Sequence, residues 1–392
     1  MAPRCTSLLT SGQLHQPEVY YPLTVLVCDR CFLVQLPEGS SLGPISHQHW
    51  PLAVARSAED TQAYGEMIQT RLRLGPKSLV VDLASQGGRR LRHFLPLGIP
   101  VLGIEPAAGA AEATSRRDVP TSIGNFGTSL AEQLVRDGKR ADLIIAVDAL
   151  ERAPDLNDFV AGMKLLLARG GIAALEIPHL QRVMEENQID ALCQEHLSYF
   201  SLLTIDRLAE SHGLEVVDVE KLAAGGGSLR VYLAHAGSPR RPTSRVSAML
   251  EEEIDGSLLD IHAYTRFAEK ALTSKHKLLA FLIGCKGEGK RICGYGAAAR
   301  ASALLNYCGI GADLLDFTVN RNPFNYGPFT PGTHIPVLPV EAIDDAKPDY
   351  ILILDRDLGE EAVSKLHHVG GWGGRIVASL PEVRLIEPGR GA

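Results

Sequence analysis

The sequence predicts an α/β protein with a central doubly wound sheet, a second Rossmann-like α/β domain after it and a short N-terminal β-hairpin module. Three observations lead there. At 392 residues the chain exceeds what one ordinary core fills. From residue 77, "KSLVVDLASQGGRRLRHFLPLGIPVLGIEPA" runs apolar strand, glycine turn, helical stretch and second apolar strand ending in an acid, and "ADLIIAVDALERAPDLNDFVAGMKLLLARGGIAALEIPH" repeats the plan. Towards the C-terminus the apolar runs of "KRICGYG", "LLDFTVN", "DYILILD" and "GRIVASLP" alternate with helical stretches, giving four expected strands.

Taken in order, residues 1–60 form the N-terminal module, in which "YYPLTVLVCDRCFLVQL" reads as two short strands around the turn Cys28-Asp29-Arg30-Cys31. That turn resembles half of a zinc knuckle. Four ligands are needed and no second CxxC accompanies it, so a hairpin with reduced thiols and no metal is expected. Residues 61–236 hold the central domain, with a strand at 141–147, a helix from about 156 to 168 stopped by Gly170-Gly171, and a strand at 172–177. "GSPRRPTSRVS", residues 237–247, reads as a linker, and a polar amphipathic helix over about 248–284 leads into the last domain, 237–392 in all.

Composition narrows the function. Apolar residues at 45% and charged residues at 22% describe a soluble globular chain. A net charge of −7 lacks the clustered positive field that phosphate backbones require, so a small polar substrate is expected and nucleic acid is not. No run approaches ~18 apolar residues and the start has no apolar signal core, which predicts a cytoplasmic protein with no membrane partner. Seven scattered cysteines suit reduced thiols rather than a disulfide framework. Monomer and homodimer are both open.

Parallel strands joined by helices bind ligands at their carboxyl ends, so Asp82, Ser85, Gly88, Glu105 and Asp148 are expected to converge on one crevice. A carboxylate ending the second strand can accept both hydroxyls of a ribose. "DLASQGG" lacks the GxGxxG pattern, which disfavours a dinucleotide and favours a smaller adenosyl ligand such as S-adenosylmethionine. Farther on, "CQEHLSYFS" sets the carboxylate of Glu195 beside the imidazole of His196, a pair suited to acid/base work near neutral pH.

The blocks "GIEPA", "PDLNDFV", "EENQID", "EHLSYFSLLTIDRL", "GGSLRVY", "GYGA", "LLNYCGI", "LLDFTVNRNP" and "PGTHIPVLP" follow one another in the order and spacing of a known family. Over about residues 8–385 the chain resembles the S-adenosylmethionine-dependent sugar C-methyltransferases, which methylate the carbon next to a ketone in nucleotide-linked 4-keto-deoxysugars of antibiotic pathways. The resemblance implies a zinc-binding N-terminal module, a class I methyltransferase-like central domain and a C-terminal domain that helps hold a nucleotide sugar. It implies that His196 is the base that removes the proton next to the ketone, with Glu195 as the carboxylate beside it. It adds Pro106 to the cofactor residues, and makes Asn187, Tyr199, Tyr295, Arg300 and Asn306 contacts to the substrate. His179, at a strand end, either lines the crevice or caps it.

Several departures from the family pattern fall on the substrate side. Cys193 and Gln194 stand for its Tyr and His, Arg152 and Gly225 for two further His, Gln86-Gly87 for an Asn-Asp pair, and Arg300 and Ser302 for Lys and Asn. The zinc site is expected to be incomplete. The leading expectation is a C-methyltransferase with a rebuilt site. A second is an epimerase, lyase or cyclase that keeps the fold without transferring methyl, and a third is a silent homologue that binds a pathway partner.

Overall fold

The structure is a computed structural model, and it describes residues 2–3, 8–37, 58–85, 87–105, 118–223, 226–297, 299–320 and 329–386. The central sheet is built from β1 (Val80–Leu83), β2 (Val101–Glu105), β3 (Thr121–Ile123), β4 (Ala141–Val147), β5 (Leu167–Pro178), β6 (Leu214–Leu222) and β7 (Ser228–His235). Their order is β6-β7-β5-β4-β1-β2-β3, with β7 antiparallel to both neighbours and the pairs from β3 to β5 parallel. The expected doubly wound, class I methyltransferase-like sheet is therefore present.

Burial explains why its strands read as unbroken apolar runs: every residue of β1 and β2 is covered on both faces. Side chains alternate between the layers, so Val81, Leu83, Ile144 and Ala146 pack on one face while Val80, Leu143 and Ile145 pack on the other. The helix Leu156–Leu166 starts at Asp155, whose side chain accepts the N–H groups of Asn157 and Asp158. It ends two residues before the expected stop, because the chain passes straight into β5 at Leu167. The glycines that suggested a stop lie within β5 instead. A Cβ on Gly171 would stand 2.7 Å from the carbonyl oxygen of Ala141, so close strand approach requires glycine there.

The second domain contains β8 (Ile292–Tyr295), β9 (Phe317–Val319), β10 (Val337–Leu338), β11 (Tyr350–Ile353), β12 (Arg375–Ala378) and β13 (Arg384–Ile386), ordered β10-β9-β8-β11-β12-β13 and parallel except for β13. The four expected strands are its centre. Both edges were missed because two or three residues carry no periodicity.

Two expectations about the connection change. Helix begins at Ser244, inside the predicted linker, and Thr243 and Arg245 bind Asp218 of β6, which docks the segment on the central sheet. The single predicted helix is two, Ser244–Asp255 and Ile261–Gly287, broken where Ser257 takes φ +65° and Asp260 caps the second helix through the His262 N–H.

The N-terminal hairpin forms as expected, Leu26–Val27 against Val34–Gln35, closed by the Cys28 N–H donating to Leu33. Its outer strand goes on to pair with Ser198–Tyr199, and the Leu36 N–H donates to the carbonyl of Leu197 at 2.9 Å. The hairpin thus splints the "CQEHLSYFS" segment.

Candidate active site

The chain order reverses between β1 and β4, and a crevice opens outside the carboxyl ends of strands at such a point. Ala84, just past β1, takes φ +75°, and Asp148, just past β4, takes φ +52°. Non-glycine residues held in the left-handed region cost of order 1–3 kcal/mol and gather at functional sites. Here they flank the crevice.

Glu105 ends β2 buried, and its Oε1 accepts the Ser85 hydroxyl at 2.7 Å and the Gly87 N–H at 3.3 Å. The loop after β1 is thereby folded down onto the strand-end carboxylate. Gly88 holds the turn by donating to the Ser85 carbonyl at 3.0 Å, with φ +66° and the Val119 side chain where a Cβ would lie. Among the described residues, a Cβ on Gly87 would meet nothing within 4 Å, which leaves the loop backbone room for a ligand on that side. Asp82 is placed differently from the expectation. It is fully buried, and both of its oxygens accept from Arg90, Oδ2 from Nε at 2.9 Å and Oδ1 from Nη2 at 3.2 Å. It therefore orders the loop through Arg90, which also reaches the Ala84 carbonyl. Pro106, Gln86 and Gly225 lie outside the described residues.

The "CQEHLSYFS" segment packs against the turn after β4, where the Leu197 N–H donates to the Glu151 carbonyl at 2.7 Å. Its geometry is fixed from within, because the Tyr199 hydroxyl donates to the Cys193 carbonyl at 3.1 Å and accepts the Cys193 N–H at 3.0 Å. Tyr199 is buried and its expected substrate contact gives way to this clasp. Its ring lies edge-on to His196, centroids 5.9 Å apart.

Glu195 does not serve as the carboxylate partner of His196. Its Oε2 accepts from Arg152 Nη1 at 2.9 Å, while Oε1 is buried without a hydrogen-bond partner. The charges acting on His196 are cationic: burial first, then the guanidinium groups of Arg152 and Arg300, hold the imidazole well below its usual range. The ring is neutral at pH 7, with Nδ1 buried and unpartnered. Arg300 comes from the second domain, at the start of the helix Ala299–Cys308, and stands 3.7 Å from the buried Asp190. The site is closed at the seam between the domains.

Beside Arg152 lies Glu151, which the sequence reading passed over. It is 1% exposed and neither carboxylate oxygen has a hydrogen-bond partner. Burial and the nearby Asp148 push its carboxyl up to about 8. The available signal was its place, an acid four residues past an expected strand end in the second strand-helix repeat. Arg90 was missed too, since one arginine in "GGRRLRHF" looks like another.

Other expected substrate contacts are structural. His179 points Nε2 at Glu253, 2.9 Å away, and Glu253 accepts the N–H groups of Leu202 and Leu203 at the start of the helix Leu202–Ser211. The His179 ring is thus held by Glu253, and it makes no side-chain cap on the helix Leu180–Glu185 that it precedes. Asn187 donates to Ser274 Oγ at 2.7 Å, tying the central domain to the long helix Ile261–Gly287. Asn306 donates to the carbonyls of Ser302 and Pro331, inside the second domain. Tyr295 ends β8, buried.

Cys28 and Cys31 are both partly exposed, and backbone N–H groups of Cys31 and Arg30 lower the Cys28 thiol. Among the described residues no group of three or more His, Cys, Asp or Glu could hold a metal. Two thiols fall short of a tetrahedral zinc set, and Cys5, His47 and His49 lie outside the described residues. Among those residues, no helix is long and apolar enough to cross a membrane.

Comparison with known proteins decides the family. C-methyltransferase NovU of Streptomyces niveus is 30% identical over 373 residues, 94% of this chain and 88% of that protein. The chain belongs to the C-methyltransferase family. Family profiles agree along its length: "Putative zinc binding domain" matches residues 1–41, "Methyltransferase domain" 59–219 and "C-methyltransferase C-terminal domain" 223–381. A ubiquinone biosynthesis O-methyltransferase of Bartonella quintana (strain Toulouse) is 24% identical over 94 residues, 24% of this chain and 38% of its own. Among solved structures, an S-adenosylmethionine-dependent methyltransferase from Clostridium acetobutylicum ATCC 824 aligns with a TM-score of 0.38 at 9% identity, covering 48% of this chain and 95% of its own. The glycopeptide N-methyltransferase MtfA with sinefungin aligns with a TM-score of 0.35 at 15% identity, covering 45% and 94%. As a family member the chain is an enzyme, a methyltransferase.

Proposed function

We propose that the enzyme methylates the carbon next to a ketone in a nucleotide-linked deoxysugar, by way of an enolate. The observation that carries this reading is the buried, neutral imidazole of His196, which feels the charge of guanidinium groups from two domains. A positive field makes an imidazole a weaker base, but it stabilises the enolate oxyanion that forms when the base acts, which is where electrostatic catalysis gains most. His196 takes the proton, and Arg152 and Arg300 face the developing negative charge.

The methyl donor is S-adenosylmethionine, which supplies an electrophilic methyl group. The open backbone at Gly87, next to the buried strand-end carboxylate of Glu105, fits its adenosyl end. Glu105 would accept the ribose hydroxyls, and Ser85 and Gly88 would shape the loop around them. Arg300 also suits a sugar diphosphate, since a guanidinium pairs with phosphate oxygens in bidentate fashion.

Titration calorimetry with S-adenosylmethionine and its demethylated product tests the donor site, with Glu105→Ala expected to weaken binding sharply. Mass spectrometry after incubation with a nucleotide-linked 4-keto-deoxysugar tests the transfer. His196→Ala should abolish product while leaving donor affinity nearly unchanged. Wild-type turnover by His196→Ala would remove its assigned role, and a protein that binds neither donor nor product would turn the reading to proton transfer without alkylation.

A further inference from the structure

A buried acid with two unpartnered oxygens is costly, and native structures keep such groups for a reason. Glu151 is one. It sits in the short helical turn Leu150–Arg152 that follows β4, directly beyond Asp148 at the mouth of the crevice. Its backbone carbonyl accepts the Leu197 N–H at 2.7 Å, so the turn is locked to the segment that carries His196. The groups facing its carboxyl are Asp148 and Arg152 on its own stretch and Tyr199 on the packed segment, while Glu195 there is occupied by Arg152.

We propose that Glu151 is a catalytic acid that donates its O–H to the carbonyl oxygen of the substrate and so stabilises the enolate. The proposal rests on the enolate reading above. When His196 removes the carbon-bound proton, charge moves to the carbonyl oxygen, which takes a short hydrogen bond from Glu151. The enolate carbon then forms the new carbon–carbon bond as the donor's carbon–sulfur bond breaks. The carbonyl reforms, Glu151 keeps its proton, and His196 releases the abstracted proton to solvent. A carboxyl raised to about 8 by burial and Asp148 is protonated at pH 7 and able to do this. Arg152 opposes that shift, but its charge is divided with Glu195.

The test has a substrate-free arm. The infrared difference spectrum of wild type minus Glu151→Gln at pH 7 should show the carbonyl stretch of a protonated carboxyl, lost above about pH 8. In the second arm the probe is a thymidine diphosphate-linked 4-keto-6-deoxyhexose. Glu151→Gln, whose amide still donates, should keep kcat within about tenfold, and Glu151→Leu should lose ~10²–10³-fold. Wild-type kcat should fall as Glu151 ionises above about pH 8, and Glu151→Gln should lack that fall. A spectrum without the band, an unchanged alkaline fall in Glu151→Gln, or wild-type kcat in Glu151→Leu would overturn the proposal. A wild type that shows the band yet neither exchanges the acidic proton of the probe for deuterium nor methylates it would instead overturn the enolate reading.

Discussion

Replacing Arg152 by Met removes the partner of Glu195 and one of the two cations that act on His196. The pair is close, 2.9 Å, and nearly enclosed, with 12% and 8% of the side chains exposed. Two unit charges about 4 Å apart at an effective dielectric near 20 attract by about 4 kcal/mol. Stranding one member of a buried pair costs about 3–5 kcal/mol, and Glu195 begins with Oε1 already unpartnered, so no second bond softens the loss. The slight exposure favours the lower end, about 3 kcal/mol. For a domain of ~150–250 residues each kcal/mol lowers Tm by about 2–4 °C, so Arg152→Met should melt ~6–12 °C below wild type by far-ultraviolet circular dichroism. Neutralising the stranded acid in Arg152→Met/Glu195→Gln should recover a good part of that. The same change acts on pH dependence. His196 is held below its unfolded value, so it is neutral through the window below pH 6.5 where a free imidazole would charge. With one cation gone its pKa rises, and the acidic limb of kcat/KM should move to higher pH. A Tm within about 2 °C of wild type, or an acidic limb that stays in place, would refute the reasoning.

Glu253→Leu strands two helix N–H groups and the His179 ring, and should lower Tm by more than Arg152→Met while the folded fraction keeps its KM; a changed KM would return His179 to the substrate site. Leu36→Pro deletes the N–H that holds Leu197, so kcat should fall several-fold with donor affinity in calorimetry unchanged; an unaffected kcat would mean the hairpin does not position His196. Ser85→Ala removes the hydroxyl on Glu105 and should weaken donor binding by about tenfold, and unchanged binding would place the adenosyl group elsewhere.

Much of the architecture was legible because it is written locally. β1 and β4 appear as apolar runs since both faces of a parallel strand are buried, and Asp155 marks a helix start because its own side chain caps it. Glu105 could be placed at the crevice for the same reason: the end of a strand is a position in sequence as well as in space. Resemblance to a family supplied His196. What periodicity cannot record is which distant charge a side chain will meet. Glu195 sits next to His196 in sequence, yet its partner is Arg152, 43 residues earlier, because the turn after β4 packs against the segment. Arg300 reaches the same place only after two domains close. His179, read from its place at a strand end, and Asn306, implied by the resemblance, are claimed by Glu253 and by the Ser302 and Pro331 carbonyls. The sequence by itself determined the central strands and the strand-end crevice, since hydrophobic burial follows a short repeat along the chain, while the imidazole of His196 took its role from the resemblance. Only the tertiary structure decided the electrostatics around that imidazole, because charge pairing depends on through-space distance and on the water excluded between elements, neither of which has a period.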